Sequence, residues 1–164
     1  MNASIHADYL LQMAQRIEQN GRDFYVLAAN AAAAAGARQV LLQLADMEAD
    51  HIKTFTAMRL RLAGRPEPPP PIDPNGETAV YIRALLAGSF FDPQTRPGDY
   101  LRGKESRQDI LLTAIGLEKE TILFYEAVRP VLADREDEEA MENIIREERR
   151  HISRLAGLLG SLIK

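Results

Sequence analysis

The feature that most constrains the fold is a repeat, because the second half of the chain matches the first when the sequence is shifted by 100 residues. Identity between the halves is low elsewhere, and the matches concentrate on polar and aromatic residues. The matched positions include Glu18, Phe24, Tyr25, Glu48, His51, Ile52 and Leu62, which align with Glu118, Phe124, Tyr125, Glu148, His151, Ile152 and Leu162. Leu11, Ala14 and Ala33 also match Leu111, Ala114 and Ala133. A duplicated unit with selection on its polar residues is the simplest explanation.

Four segments of the chain carry apolar residues at alternating steps of three and four, which is the spacing of a helix face packed on a core. The predicted helices run over about Ser4–Ala35, Arg38–Ala63, Glu105–Arg129 and Asp137–Leu162. Gly36 is predicted to cap the first helix, Gly64 with Pro66 to end the second, and Pro130 to end the third. The sequence therefore predicts an all-α four-helix bundle of two helical hairpins, forming a single domain over residues 1–164.

One long crossover, residues 64–104, joins the two predicted hairpins. Its first part, Pro66–Pro74, is rich in proline and is expected to run as polyproline II. A short amphipathic helix is predicted over Glu77–Ala87. The following segment, Phe90–Gly103, contains prolines and glycines and is predicted to be a loop.

Each of the four apolar stripes carries a carboxylate at its centre, and two stripes add a histidine one turn later. These residues are Glu18, Glu48, His51, Glu118, Glu148 and His151. Residues at i and i+3 share a helix face, so each Glu-x-x-His pair points the same way. Within each hairpin the two carboxylates are equally distant from the turn, about 22 Å at 1.5 Å per residue, and should lie side by side.

Buried carboxylates are costly unless they are paired or bind a metal ion, and no Lys or Arg lies on these stripes. Four carboxylates and two neutral imidazoles carry a charge of about −4, which two divalent cations would cancel. The chain has no cysteine, which excludes disulfides, thiolate zinc sites and Fe–S clusters. Carboxylate and imidazole ligands suit iron, manganese or zinc, so the six residues are predicted metal ligands.

Tyr25 and Tyr125 each follow a stripe carboxylate by seven residues, on the same helix face. A core tyrosine needs a partner for its hydroxyl group. The functional interpretation is a hydrogen bond that orients a carboxylate ligand or relays electrons; the alternative is core packing alone. The other glutamates of these helices, among them Glu120, Glu142 and Glu147, are predicted to lie on the solvated surface.

Composition and charge exclude some kinds of partner. The net charge is −4 and the sequence has no block of Lys or Arg, so a nucleic-acid-binding face is not expected. No stretch of about 18 apolar residues exists and the N-terminus shows no signal-peptide pattern, so neither a membrane span nor secretion is expected. A cytoplasmic location is the expectation.

These motifs resemble the rubrerythrin-like branch of the ferritin-like superfamily. The pattern that carries the resemblance is Glu18-x-x-Gly21-x-x-Phe24-Tyr25 with Met47-Glu48-x-x-His51, and again Glu118 with Phe124-Tyr125 and Glu147-Glu148-x-x-His151. The resemblance implies that Glu48 and Glu148 bridge two metal ions, that Glu18 and His51 complete one ion, and that Glu118 and His151 complete the other. Rubrerythrins typically carry a further carboxylate where this chain has Thr121, so its six ligands are nearer to those of bacterioferritin.

The resemblance implies a di-iron oxidoreductase that reduces hydrogen peroxide or dioxygen. Rubrerythrins usually carry a four-cysteine electron-transfer domain, so this chain would need an external electron-donor protein. Two alternatives stay open: a ferroxidase that stores or delivers iron, and a non-enzymatic protein with a structural dimetal site. The apolar segment that includes Val80 and Tyr81 either covers the helices or forms a homodimer contact, and a homodimer is the expected state.

Overall fold

The computed structural model describes residues 6–64, 76–87, 96–101, 103–132 and 134–162. All regular structure in these ranges is helical, which confirms the predicted all-α class. The α-helices are α1 (Ala7–Ala31), α2 (Ala35–Ala63), α3 (Glu77–Leu86), α4 (Pro97–Tyr100), α5 (Arg107–Val128) and α6 (Arg135–Ser161). None of the described helices has the length and hydropathy needed to cross a membrane.

The four long helices pack in two pairs. Helix α1 lies along α2, and α5 lies along α6. The pairs meet where α1 contacts α5 and where α2 contacts α6, while α3 packs on α5 and α4 on α1. This packing brings the matching helices of the repeat, α1 with α5 and α2 with α6, into direct contact.

The predicted apolar stripes form the core. On α5 the whole stripe is buried, from Leu111 through Tyr125 to Val128. On α2 the stripe is buried from Leu41 to Met58, and on α6 from Met141 to Leu155. The last stripe residue of α6, Leu162, is 44% exposed because α6 ends at Ser161.

The turn between α1 and α2 differs from its prediction. Helix α1 ends at Ala31 and α2 begins at Ala35, so Gly36 lies inside α2 and does not cap α1. Ala32 closes α1 with φ −75° and ψ 119°, an extended conformation that any residue adopts. The turn therefore needs no left-handed residue, and glycine loses its predicted role there. Gly64 does end α2, as predicted.

Capping residues set the ends of the second helix pair. Ser106 and Asp109 form a reciprocal capping box, in which the Asp109 backbone N–H donates to Ser106 Oγ at 3.1 Å, so α5 begins at Arg107. Pro130 lies in a 3₁₀ turn, Arg129–Val131, that follows α5. The Asp134 carboxylate accepts from the Glu136 backbone N–H at 2.8 Å, which starts α6 two residues before the predicted Asp137.

The crossover prediction is confirmed in part. Helix α3 covers Glu77–Leu86, one residue short of the predicted Ala87. The segment predicted as loop contains the short helix α4, which begins with a proline at its first position, where its fixed φ fits a helix start. The predicted polyproline stretch, Pro66–Pro74, lies outside the described residues.

Candidate metal centre

The structure brings the six predicted ligand residues together between the four long helices. All six are buried, with exposures of 4% or less, in a core that is largely apolar. Helix α1 contributes Glu18, α2 Glu48 and His51, α5 Glu118, and α6 Glu148 and His151. Each side chain points inward because it occupies the stripe position that its helix turns toward the core.

The ligand atoms fall into two groups of four, and the atoms of each group lie within 4.8 Å of one another. The His51 half-site contains Glu18, Glu48, His51 and Glu148, and the His151 half-site contains Glu48, Glu118, Glu148 and His151. Glu48 and Glu148 belong to both groups. Such buried carboxylate and imidazole groups can hold metal ions.

In the His51 half-site, His51 Nδ1 faces three carboxylates. Its distances are 3.2 Å to Glu18 Oε2, 3.3 Å to Glu48 Oε2 and 3.0 Å to Glu148 Oε1. The Nδ1 atom is therefore the imidazole nitrogen that points into the half-site.

The His151 half-site repeats this arrangement. His151 Nδ1 lies 2.7 Å from Glu148 Oε2, and 3.3 Å from both Glu48 Oε1 and Glu118 Oε1. Glu48 and Glu148 thus direct one oxygen to each histidine. The two imidazole rings stack with centroids 5.8 Å apart and planes at 21°. A carboxylate that divides its oxygens in this way has the geometry of a bridging ligand.

The electrostatics of the cluster follow from burial and from the proximity of like charges. Burial and the Glu48 charge raise the pKa of Glu18 to about 8. Burial, with the charges of Glu148 and Glu48, also raises the pKa of Glu118 well above its usual range. Protons are thus retained by carboxyl groups that would be ionised in water.

The histidines respond in the opposite sense to the same surroundings. Burial disfavours an imidazolium, but the carboxylates around His151 outweigh it and raise its pKa to about 12. The pKa of His51 is raised in the same way. Burial lowers it, but the neighbouring carboxylates, Glu18 first among them, raise it by more. Protons and metal ions therefore compete for the same atoms.

Several buried atoms of the cluster lack a hydrogen bond. Although His151 Nδ1 lies 2.7 Å from Glu148 Oε2, neither carboxylate oxygen of Glu148 and neither ring nitrogen of His151 has a partner with hydrogen-bond geometry among the described residues. An unsatisfied buried polar atom costs about 1–3 kcal/mol. A cation between these atoms would satisfy the Glu148 oxygens and His151 Nδ1, so the residues fit a metal ion.

The two tyrosines each reach across to the opposite helix pair. Tyr25 on α1 donates its hydroxyl to Glu118 Oε1, and Tyr125 on α5 donates to Glu18 Oε1. Burial, together with the nearby carboxylates, raises the pKa of both tyrosines well above the usual value, so both remain protonated donors. Each half-site thus has one tyrosine on its unshared carboxylate.

A cavity of about 20 Å³ adjoins the cluster between α1 and α5. Gly21 and Thr121, which are equivalent in the repeat, both line it. Its size suits one water-sized molecule. A Cβ atom on residue 21 would lie 3.7 Å from Glu48 Cδ, so glycine at this position leaves space directly beside a shared carboxylate.

Sequence reasoning placed Glu147 on the solvated surface and missed its contact with His51. Glu147 is 39% exposed and its Oε2 lies 2.8 Å from His51 Nε2, the nitrogen that faces away from the cluster. The signal available in the sequence was its position one residue before a stripe ligand, which puts it beside the core face. Its contact with α2 required the packing of α2 against α6.

Comparison with family models, with curated proteins and with solved structures gives no significant match. The class of protein is therefore defined by fold and site alone. It is an all-α protein with a buried glutamate and histidine cluster that can hold metal ions.

Proposed function

We propose that the chain is a ferritin-like four-helix bundle of the rubrerythrin-like type, and that it binds two iron ions and reduces hydrogen peroxide or dioxygen. The observation that carries the proposal is the division of both shared carboxylates between the two histidines. Glu148 Oε1 lies 3.0 Å from His51 Nδ1 and Glu148 Oε2 lies 2.7 Å from His151 Nδ1. One metal ion would not need this duplicated arrangement.

The net negative charge of the cluster supports the binding of two cations. Four carboxylates converge with two imidazoles, and no Lys or Arg belongs to either half-site. Two divalent cations balance four carboxylates once the imidazoles are neutral. One Glu from each of two helices and Glu-x-x-His from each of the other two is the ligand set of ferritin-like dimetal carboxylate proteins.

Iron is the proposed metal because the proposed reaction needs a redox-active ion, and manganese or zinc would fit the same ligands. The two iron ions, when bound, would supply the two electrons that convert hydrogen peroxide and two protons into two water molecules. The chain has no cysteine and so no thiolate-bound cluster of its own. Re-reduction is therefore assigned to an external electron-donor protein.

The chain's own residues orient the carboxylate ligands and exclude water from them. Tyr25 and Tyr125 donate to the unshared carboxylates and hold their orientation. The surrounding apolar core excludes bulk water, since the ligands are 4% exposed at most. The cavity beside Gly21 and Thr121, about 20 Å³ in volume, has room for a small oxidant and not for a larger organic substrate.

A stopped-flow comparison tests the reaction. The protein is loaded anaerobically with two equivalents of Fe(II) and mixed with hydrogen peroxide or with dioxygen. We expect oxidation by peroxide to be at least tenfold faster than oxidation by dioxygen, with one peroxide consumed per two Fe(II). The control is the Glu142→Gln variant, which changes an exposed glutamate of α6 and should react as the natural protein does. No oxidation by either oxidant would contradict an oxidoreductase.

A ferroxidase is the second candidate, and Thr121 favours it. This residue is 6% exposed and occupies the α5 position where a rubrerythrin would carry its seventh carboxylate. A ferroxidase would react faster with dioxygen and would take up iron beyond two ions per chain. Tightly bound zinc without any redox reaction would instead support a structural dimetal site.

A further inference from the structure

The two half-sites have different surroundings although the repeat gives them equivalent ligands. Several positions around the histidines differ between α2 and α6, among them the three differing positions of α2 that line a groove beside His51. Met47, Asp50 and Thr54 on α2 correspond to Glu147, Arg150 and Arg154 on α6. These three differences lie one residue before each shared glutamate, and one residue before and three residues after each histidine.

His51 has a carboxylate on its outer nitrogen. Its Nε2 lies 2.8 Å from Glu147 Oε2, while its Nδ1 faces the half-site. An imidazole that donates from Nε2 to a carboxylate keeps its Nδ1 lone pair for a metal ion. The carboxylate also fixes the ring orientation and raises the basicity of the ligating nitrogen.

His151 has no such support. Its Nε2 is buried and finds no hydrogen-bond partner among the described residues. Met47 occupies the position equivalent to Glu147, and its thioether sulfur is contacted by Arg154 Nη1 at 3.5 Å. The repeat position that carries the Glu147 carboxylate in the second half thus carries a neutral side chain in the first half, and a cation contacts it.

A solvent-open groove reaches the His51 side. Its volume is about 460 Å³, and its polar lining consists of Asp50, His51, Thr54, Asn143 and Glu147. Two of these side chains are carboxylates, and none is a lysine or an arginine. The groove therefore offers an approaching cation a favourable potential beside His51.

We propose that Glu147 makes the two half-sites unequal, so that the His51 half-site binds its metal ion more tightly and fills first. This inference rests on the proposed dimetal site. Loss of a partner to a ligating histidine typically weakens metal affinity 10–100-fold. The affinities of the two half-sites should differ by about that factor.

An anaerobic titration with Co(II), followed by its visible absorption, measures both affinities. We expect two successive steps, separated by about 10–100-fold in Kd. His151→Ala should keep the tighter step, and His51→Ala should remove it. If the natural protein binds two Co(II) with equal affinity, the inequality is disproved while the dimetal site stands. Failure to bind any Co(II) would disprove the dimetal site itself.

Two matched variants separate the role of Glu147 from a general loss of charge. Glu147→Met copies the residue of position 47 and should weaken the first step until the two steps merge. Met47→Glu combined with Arg154→Thr copies the surroundings of His51 and should strengthen the second step instead. Glu142→Met removes an exposed carboxylate of the same helix and should change neither step. An unchanged separation in Glu147→Met, with its helical content preserved, would overturn the proposal.

Discussion

At the residue scale, the tyrosines show how the halves of the repeat depend on each other. Tyr25 belongs to the first half but contacts Glu118 of the second, and Tyr125 contacts Glu18 of the first. Each unshared carboxylate is therefore oriented by the opposite helix pair. Neither half holds its outer carboxylate without the other.

Tyr125→Phe should weaken metal binding at the His51 half-site by about tenfold or more, because Glu18 loses its donor. Tyr25→Phe should have the same effect at the His151 half-site, and each variant is the control for the other. Phenylalanine preserves the packing, so core packing alone predicts no change in affinity. Co(II) titration of both variants distinguishes the two interpretations.

The residue-scale predictions from sequence succeeded where a polar residue interrupted an apolar stripe. Glu18, Glu48 and His51 could be found because a buried charge requires a partner. Glu147 could not be found in this way, because it flanks the stripe and its side chain is 39% exposed. Its role depends on which residue of the neighbouring helix lies opposite, and a single sequence does not contain that information.

At the element scale, periodicity predicted the helices well and their ends less well. The steps of three and four define which face is buried over many residues, so the stripes of α2 and α5 are reproduced. A helix end depends instead on a few local hydrogen bonds. Alanine is the strongest helix former, so the alanines around Ala32 predicted a helix that continues to Ala35, whereas α1 ends at Ala31.

An ion pair joins α2 to α6 at the end of the helices and was not predicted. Arg61, in the last turn of α2, donates from Nε to Asp137 Oδ1 at 3.1 Å. Asp137 is 2% exposed, whereas the Arg61 side chain is 30% exposed. Asp137 therefore depends on Arg61 for its charge balance, while Arg61 retains access to water.

Arg61→Leu should lower the free energy of unfolding by about 3 kcal/mol, because it leaves a buried carboxylate unpaired. Asp137→Ala should cost less, since Arg61 can turn into solvent. Arg135→Leu is the control, because its pair with Glu139 is exposed and should contribute less than about 1 kcal/mol. Urea denaturation measures all three; equal losses in Arg61→Leu and Arg135→Leu would contradict the dependence of Asp137 on Arg61.

At the scale of the whole molecule, the cluster ties stability to the metal and to pH. Without a cation, Glu18 titrates at a pKa of about 8 in the folded chain and near its ordinary value of about 4.5 when unfolded. Between these pH values the folded chain keeps a proton on Glu18 that the unfolded chain has released. The contribution of this proton to the free energy of unfolding is therefore lost as the pH rises through this window. The raised pKa of His151, about 12, extends the loss to higher pH.

The free energy of unfolding of the metal-free protein should therefore fall between pH 5 and pH 8. Metal ions replace the protons, so the metal-loaded protein should not show this decline, and loading should release protons into a weakly buffered solution. Urea denaturation with and without a chelator checks the first expectation, and a pH indicator checks the second. A metal-free protein that becomes more stable over this range would contradict the cluster's raised pKa values.

The assembly of the molecule also stays a prediction. On α3, Ile82 is buried against the long helices, while Val80 and Tyr81 are 63% and 48% exposed. These exposed side chains are the proposed homodimer contact. The sequence identified the apolar character of this helix, but only the packing showed which of its residues remain outside.

The central claim is that two shared carboxylates hold two metal ions, and metal stoichiometry tests it most directly. Anaerobic Fe(II) titration of the natural protein should reach two ions per chain. Glu148→Ala removes one oxygen from each half-site and should abolish this stoichiometric binding while Glu142→Ala retains it. Two ions bound by the natural protein and by Glu142→Ala, but not by Glu148→Ala, would support the dimetal centre. Two ions retained by Glu148→Ala, or none bound by the natural protein, would contradict it.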